Sequence, residues 1–385
     1  MVTLTSADNV LKNVYLDVVA NQLNTAVNPL LAKIEKTTKD VWGKNIVKLA
    51  PYGINGGVSA QAEDGVLPTA GANNYVQFVS SLKNLYGKIE LSDKAIRASQ
   101  TNAGSFVNLL NDEMDGLIKA SSFNVGRMIY GDGTGKLATV ASVSDSVISV
   151  DKVNAIIEGM TVDFYTSAGS KTISGARITS VDRANKTITI SKAITEDVTE
   201  GAFITVQNSY NNELTGLGAI FAPTGNLYGL SKADYKWLNP TVKSSFGSIS
   251  DSKIQEVLDT IEENHGLGVD FIACSYDTRR LYQSYLETYK RNIDVMNLEG
   301  GFKAISFNGI PVVADRFVEE GTMMLLNTKD FALHELCDWQ WLETDDGRIL
   351  KQNPGYATYS ATLVKYADLI CNRPGAQAKI TGITA

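Results

Sequence analysis

Histidine and cysteine are scarce in this sequence, and their scarcity argues against most catalytic and metal-binding chemistry. The 385 residues include two histidines, His265 and His334, and three cysteines. Cys274, Cys337 and Cys371 lie far apart and form no C-x-x-C pair, so the spacing of a zinc site is missing. Each cysteine lies in an apolar, strand-like run. This predicts buried, reduced thiols and a cytoplasmic compartment.

Long apolar runs and clusters of basic residues are missing as well. No stretch reaches the roughly 18 consecutive apolar residues of a membrane helix. Residues 1–13 contain neither a basic leader nor an apolar signal core, which argues against secretion. The formal net charge is −7, and basic residues form nothing longer than pairs such as Arg279–Arg280. Because nucleic-acid binders neutralise phosphates with dense Lys and Arg, dedicated nucleic-acid recognition is disfavoured, although a container for nucleic acid remains permitted.

The common catalytic motifs are absent too. The sequence contains no G-x-S-x-G, no H-E-x-x-H, and no S-x-x-K combined with S-D-N and K-T-G. Residues 131–136, GDGTGK, are one residue too short for a phosphate loop, and Leu137 stands where Ser or Thr would hold magnesium. We interpret this segment as a turn that ends a helix.

The remaining chemical side chains also have structural interpretations. His265 ends a predicted helix, where a cation favours the helix dipole, and His334 lies in a predicted strand. Asp345–Asp346–Gly347 is interpreted as a hairpin turn, and the tyrosines of residues 277–291 as packing. We therefore predict no catalytic, cofactor-binding or metal-binding residue, and no cofactor.

Two helices are predicted in the first third of the chain. One runs from Ser6 to Leu31 and is disturbed at Asn28–Pro29. The other runs from Thr101 to Tyr130, with Gly131 as its C-terminal cap, and is about 45 Å long at ~1.5 Å per residue. Its apolar stripe has helical spacing and consists of Phe106, Leu110, Met114, Leu117, Ser121, Val125 and Met128.

Between these helices the sequence predicts an extended β-hairpin. Residues 41–51 and 74–92 contain strand-forming runs, whereas residues 52–73 are rich in Gly, Asn, Ala and Asp. A connection of this length is uncommon in a compact domain unless it has a function. We expect the hairpin to reach over a neighbouring subunit; a floppy surface loop is the alternative.

After the second helix, residues 137–211 consist of short Thr-, Ile- and Val-rich runs separated by turns such as TSAGSK and DRANK. This pattern predicts a small inserted β-barrel or sandwich. From Leu214 onward, helices and strands alternate, which makes the whole chain α+β. Helices are predicted from Ser231 through YKWL, from Ser252 to Gly266, and over DTRRLYQSYLETYKR. Strands are predicted at DFIACS, FKAISFNGIPVVAD (with a tight turn at Asn308–Gly309), TMMLLNT and YATYSATLVKYADLICNRP.

The order of these parts resembles the major capsid (coat) proteins of tailed bacteriophages, a fold shared with encapsulins and the herpesvirus capsid floor. The stretches that carry the resemblance are WGKNIVKLAPYGINGG with NYVQFVSSLKNLYGKIELSD, AGSFVNLLNDEMDGLIKASSFNVGRMIYGDGTG, FKAISFNGIPVVADRFVEEGTMMLLNTKDFAL and YATYSATLVKYADLICNRP. The resemblance implies an N-terminal arm (1–40), an extended β-hairpin loop (41–92) and a peripheral domain with the spine helix (93–136). It further implies an inserted β-barrel domain (137–211), an axial domain (212–330) and a return to the peripheral domain (331–385).

The resemblance implies a structural protein, not an enzyme. It would self-assemble into pentamers and hexamers of an icosahedral capsid around double-stranded phage DNA, in the host bacterial cytoplasm, and end in the virion capsid. The implied partners are further copies of the chain, a separate scaffolding protein, a portal, and DNA bound without sequence specificity, with no membrane. Met1 is present, so we expect no processing.

Some members of this family cross-link a loop lysine to a neighbouring asparagine. Lys44, Lys48, Lys83 and Lys88 lie in the corresponding region. Because no partner and no catalytic acid match the pattern, we predict no covalent cross-link.

Three alternatives remain open. An encapsulin-type compartment shares the fold. A hydrolase or sugar-binding enzyme with a β-accessory domain, and a cell-surface or tail-associated adhesion protein, belong to other classes. The first would be recognised by packaged enzyme in place of DNA, and the second by turnover of esters or glycosides.

Overall fold

The computed structural model describes residues 28–95, 103–192, 198–266, 268–289, 295–297, 303–343 and 347–384. The α-helices in these ranges are α1 (Ala103–Tyr130), α2 (Leu217–Ile220), α3 (Asp251–His265) and α4 (Tyr276–Tyr289). Short 3-10 helices cover Leu31–Lys33, Lys236–Leu238, Thr328–Asp330 and Pro374–Ala376. Among the described residues, no helix is both long and apolar enough to cross a membrane.

The strands, labelled in chain order, are β1 (Glu35–Thr37), β2 (Val41–Trp42), β3 (Asn45–Tyr52), β4 (Asn74–Ser81), β5 (Lys83–Ser92), β6 (Lys136–Ser144), β7 (Val147–Val150), β8 (Thr161–Tyr165), β9 (Lys171–Asp182), β10 (Thr187–Ile190), β11 (Phe203–Val206), β12 (Asn226–Leu227), β13 (Leu230–Ser231), β14 (Thr241–Lys243), β15 (Gly247–Ser248), β16 (Phe271–Cys274), β17 (Val295–Asn297), β18 (Lys303–Phe307), β19 (Ile310–Ala314), β20 (Met323–Leu326), β21 (Phe331–Trp341), β22 (Lys351–Gln352), β23 (Thr358–Cys371), β24 (Ala378–Ile380) and β25 (Ile383–Thr384).

The predicted long helix is present as α1, which ends at Tyr130 as expected. From Met114 onward, the predicted stripe faces the core: Met114, Val125 and Met128 are buried. Ile118, which the predicted stripe does not include, is almost fully buried as well. The helix packs on β5 at Gly87, where an added Cβ would lie 2.8 Å from Leu117 Cδ1. Glycine at this position therefore allows the helix and the sheet to approach closely.

The strand under α1 belongs to a sheet that joins distant parts of the chain. β23 pairs antiparallel with both β5 and β21, and β1 pairs parallel with β21. The β23–β5 ladder runs from Thr358 opposite Ser92 to Ala367 opposite Lys83. The last long strand thus returns beside the helix, as the sequence predicts.

The predicted hairpin is present as β3 and β4, which pair from Asn45 opposite Ser81 to Tyr52 opposite Asn74. Residues 53–73 form the loop between them, with short β2 pairing on the other side of β3. Alternation along the strands buries Ile46, Ala50 and Phe78 on one face.

Strands β6–β11 form a closed barrel in the order β10-β7-β6-β11-β8-β9. Its interior is filled by apolar side chains, among them the fully buried Ile148, Ile156, Val162, Phe164 and Ile204. The packed interior gives the barrel a core of its own. The boundaries 137–211 for a separate inserted domain, and the other domain boundaries, stay predictions.

A seven-stranded mixed sheet, β14-β24-β20-β16-β19-β18-β17, carries α3 and α4. As predicted, α3 buries Ile254, Val257, Leu258 and Ile261. It ends at His265, and Gly266 is its C-cap with φ +78°. Its N-cap is Ser250 and not Ser252, because the Ser250 side chain accepts from the Lys253 N–H. The tight turn at Asn308–Gly309 is present, with both residues at positive φ.

The predicted helix from Ser231 through YKWL is wrong. Leu230–Ser231 is a strand, and only Lys236–Leu238 makes a 3-10 turn. The Ser231 hydroxyl does accept from the Asp234 N–H at 3.4 Å. However, Pro240 stops the segment before an α-helix has room to form.

Two predictions lie mainly outside the described residues. Of the helix predicted from Ser6 to Leu31, the structure describes only residues 28–31, and Leu31 begins a 3-10 turn. Asp345 and Asp346 are also outside, although Gly347 has the φ of +75° expected of a turn glycine.

Met114→Ala tests the packing of α1. The side chain is fully buried, so its removal leaves a cavity, and we expect a loss of about 2–5 kcal/mol in the free energy of unfolding. Urea denaturation measures it. Glu113→Ala, on the exposed side of the same turn, should change the midpoint little; equal losses would contradict this packing.

Candidate functional site

The hairpin presents an apolar outer face. Residues opposite one another in the ladder share a face, which places Trp42, Leu49, Tyr75 and Val79 on the side away from Phe78. Trp42 is 72% exposed and Leu49 57%. Large side chains are therefore arranged in a row on a surface that the described part of the chain leaves uncovered.

The tip of the hairpin is still more exposed. Ile54, Val58, Val66 and Leu67 are each between 82% and 88% exposed. Exposed apolar side chains that are concentrated in one segment mark an interaction site more often than scattered ones do. Between them, Glu63 and Asp64 are the only charged residues of loop 53–73.

The root of the hairpin is fixed by a buried carboxylate. Asp368 on β23 accepts from the Ser80 hydroxyl on β4 at 2.5 Å, and from the Thr215 N–H and hydroxyl at 2.7 and 2.9 Å. Burial raises the pKa of Asp368, although these three donors oppose that shift. One side chain thus joins the hairpin, the chain leaving the barrel and the central sheet.

Both histidines lie in packed surroundings. His334 lies opposite Asp368 in the sheet, and its Nδ1 is 2.9 Å from the Lys39 carbonyl oxygen. Burial lowers the pKa of His334, so the ring is neutral near pH 7 and Nδ1 donates. His265 does end α3, but burial and then Arg373 lower its pKa. The position at the helix end is as predicted, and these two effects act against the cationic form of the ring.

Two of the three cysteines are buried, as predicted, and Cys337 is half-buried. Burial raises the pKa of the Cys274 thiol to about 12 and also raises that of Cys371. Such thiols are poor nucleophiles. In the part of the chain that the structure describes, no three His, Cys, Asp or Glu side chains come together as a metal site.

A cavity of about 380 Å³ opens where the hairpin root, the turn after α1 and the chain leaving the barrel meet. Among the described residues that line the cavity, most polar side chains carry a hydroxyl or an amide group, and three are charged. The polar lining includes Ser80, Ser81, Lys83, Asp132, Thr134, Asn211, Glu213 and Asn226. The turn 131–136, which resembled a phosphate loop, contributes Asp132, whose Oδ1 already accepts from the Thr134 N–H and hydroxyl.

The lysines considered for cross-linking lie in different settings. Lys44 is exposed in the turn before β3, Lys48 is half-buried, and Lys88 is 3.5 Å from Glu90. The absence of a covalent cross-link stays a prediction.

A buried ion pair joins α1 to the chain leaving the barrel. Arg127 Nη1 is 2.7 Å from Glu213 Oε2, and Nη2 is 2.6 Å from Oε1. Both side chains are buried, so the two parallel hydrogen bonds are the main compensation for their lost hydration.

A second charged cluster ties the central sheet together. The buried ammonium of Lys365 is 2.6 Å from both Glu335 Oε2 and Asp338 Oδ1, and Lys36 approaches Asp338 at 3.4 Å. Burial opposes ionisation of Asp338, but Lys365, the Trp339 N–H and Lys36 outweigh it and lower its pKa to about 2.

Known proteins resemble this chain in structure. No protein-family model and no curated protein sequence matches the chain. Among solved structures, the Cyanophage A-1(L) capsid is similar with a TM-score of 0.56 and 11% identity, over 97% of this chain and 95% of that one. The SrpI encapsulin of Synechococcus elongatus PCC 7942 has a TM-score of 0.48 and 11% identity (95% and 95%). Mycobacterium phage Bobi has a TM-score of 0.46 and 9% identity (100% and 99%).

The chain therefore has the α+β fold of phage major capsid proteins, which confirms the fold predicted from the order of its parts. That likeness does not test the barrel as an inserted domain.

Arg127→Met tests the buried ion pair. It leaves Glu213 buried without its partner, so we expect a loss of about 3–5 kcal/mol in the free energy of unfolding. The double variant Arg127→Met with Glu213→Gln should recover much of it. Lys152→Met is the control: it breaks the exposed pair with Glu319 and should cost less than about 1 kcal/mol. Equal losses for the two single variants would contradict this assignment.

Asp338→Asn tests the second cluster through pH. Because the folded state lowers the pKa of Asp338, its contribution to stability is present above about pH 4, the pKa of a free aspartate, and is lost as the pH falls toward 2. The variant should be less stable than the wild type at pH 6, and the two should converge at pH 2. Urea midpoints across this range measure it, and parallel curves would refute the assignment.

Proposed function

We propose that this protein is a structural subunit that assembles with copies of itself into a closed capsid shell. The observation that carries the proposal is the hairpin tip, whose apolar side chains bury almost nothing against the described part of their own chain. A subunit with such a surface gains stability only when another molecule covers it. The capsid fold over almost the whole chain supports a neighbouring copy as that molecule.

In its full form, the proposal describes pentamers and hexamers of an icosahedral phage capsid that encloses double-stranded DNA. The net charge of −7 fits an enclosure that does not grip nucleic acid tightly. A separate scaffolding protein and a portal complete the proposed set of partners. Assembly takes place in the host cytoplasm, and the subunit has no enzymatic role.

The cargo of the shell distinguishes a phage capsid from an encapsulin-type compartment. Shells purified from cells that carry the complete source genome would be treated with nuclease and then opened. Protected double-stranded DNA supports the capsid, whereas a packaged enzyme supports the compartment.

The first experiment is expression of the chain alone, followed by size-exclusion chromatography and negative-stain microscopy. We expect closed shells, or rings of five and six subunits. A monodisperse monomer that stays unchanged with added scaffolding protein or crowding agents would refute the proposal.

The double variant Val66→Asp with Leu67→Asp tests the tip as the contact. Each side chain would contribute about 1.5–3 kcal/mol of binding free energy if it were buried against a neighbour. Because the contact recurs in every subunit, we expect the yield of shells to fall by at least ~10-fold. Light scattering and microscopy measure it, while the urea midpoint of the subunit should stay unchanged. Gln61→Glu adds charge to the same loop without removing an apolar side chain and should assemble normally. Wild-type yield from the double variant would exclude the tip.

A further inference from the structure

The hairpin stem is held against its own subunit by a stack of aromatic rings. Tyr52 on β3 stacks on Trp237, with centroids 5.8 Å apart and planes at 10°. Phe78 on β4 stacks on the same indole at 6.0 Å and 22°. Tyr235 meets the edges of Tyr52 and Trp237 at 6.2 and 6.3 Å. One indole therefore contacts both strands of the hairpin.

The ring of Tyr228 connects this stack to the central sheet. Phe78 packs on the buried Tyr228 at 5.3 Å. The Tyr228 hydroxyl accepts from the Cys371 N–H at 2.9 Å and donates to the Leu369 carbonyl at 3.2 Å. The Val79 N–H donates to the Tyr228 carbonyl at 2.9 Å. The stack thus ends on β23, the strand that also pairs with β5.

The segment that carries Trp237 is itself firmly supported. Lys232 is buried, and its ammonium donates to the carbonyls of Ala219, Ile220 and Ala222 at 3.1, 2.7 and 2.6 Å. Leu238 is fully buried beside Trp237. An added Cβ on Gly375 would lie 2.6 Å from the Trp237 carbonyl oxygen, so the backbone behind the indole is in close contact. The rings therefore pack the hairpin against a buried, hydrogen-bonded segment.

These contacts end where the exposed tip begins. Tyr52 is the last residue of β3, and the exposed Ile54 follows two residues later. A strand rises about 3.3 Å per residue, so ten extended residues reach ~30 Å, and a 10° change at the root moves such a point by ~5 Å. The angle of the stem therefore decides where the tip meets another molecule.

We propose that Trp237, with Tyr52, Phe78 and Tyr235, forms an aromatic clamp that fixes the angle of the hairpin before the subunit meets a neighbour. The role for assembly rests on the proposed function; the fixing of the stem does not. Trp237 is a positioning residue: it lies below the tip and acts through the stem. A hairpin that already has its binding orientation loses less conformational entropy when it binds. We therefore expect faster association in the correct orientation.

Hydrogen exchange on isolated, unassembled subunits tests the clamp directly. Trp237→Ala should speed amide exchange in residues 74–81 by at least ~10-fold, because the stem then opens from its support. Exchange in β21 and in the barrel should stay at the wild-type rate. Trp237→Phe keeps a ring in place and should restore most of the protection. Tyr285→Ala is the control, since it breaks a stacked ring pair with Tyr282 on α4, in a different core cluster from the one that contains Phe78.

The same variants are then assembled under conditions in which the wild type forms shells. We expect at least a ~10-fold slower rate for Trp237→Ala, and recovery with Trp237→Phe. If Trp237→Ala fails to fold, Tyr52→Leu removes the same stack from the hairpin side. Unchanged exchange in residues 74–81 in a folded variant overturns the clamp, whatever the assembly result. Failure of the wild type to assemble overturns the proposed function and leaves the exchange result standing.

Discussion

The packing of α1 on β5 is the contact on which the rest of the structure depends. Gly87 lets Leu117 approach the sheet closely, and Met114 and Ile118 fill the layer between helix and strand. β5 follows the hairpin directly along the chain and pairs with β23 over most of its length. The position of the helix therefore fixes the sheet, and the sheet fixes the point from which the hairpin departs.

Buried charges reinforce this frame where chain segments of distant origin meet. Arg127 with Glu213, and Asp368 with Ser80 and Thr215, join parts of the chain that are far apart in sequence. Lys232 fixes a more local fold of the chain, because its three carbonyl partners lie 10 to 13 residues before it. A buried ion pair adds little stability over a well-packed apolar pair, but it tolerates few alternative geometries. We infer that these contacts specify how the parts fit together more than they add to overall stability.

Much of the fold could be predicted from short stretches of sequence, because in many helices and strands the buried apolar residues recur at regular spacing. The stripe from Met114 to Met128, the buried side of α3 and the Asn308–Gly309 turn are each readable within a few residues. The YKWL segment was predicted as a helix from two local signals, its capping pattern and the stop near Asn239–Pro240. Its actual conformation also involves rings from the distant hairpin, which no local signal indicates. The same limit applies to His265, whose pKa is lowered by burial and by Arg373, over one hundred positions away.

The candidate site shows the same division. The composition of residues 52–73 predicted an exposed tip, because Gly, Asn and Asp cannot form a core. Nothing local indicated that Tyr52 and Phe78 would stack on Trp237, since Trp237 lies about 185 and 160 residues after them in the chain. Sequence patterns predict contacts through short repeats of apolar residues, and separations of this length belong to no such repeat. Hairpin and tip could therefore be predicted, but the contacts that orient them could not.

The combination of a fixed stem and an exposed tip has a physical consequence for assembly. A shell closes correctly when single contacts are weak enough to break and reform, yet point in one direction. An apolar tip on a flexible stem would bind many surfaces in many orientations, and the subunits would then aggregate. Holding the stem against Trp237 restricts the directions available to the tip without strengthening the contact itself. Under the proposed function, the weak tip contact permits correction of errors, and the rings below it supply the geometry that makes correction converge on a closed shell.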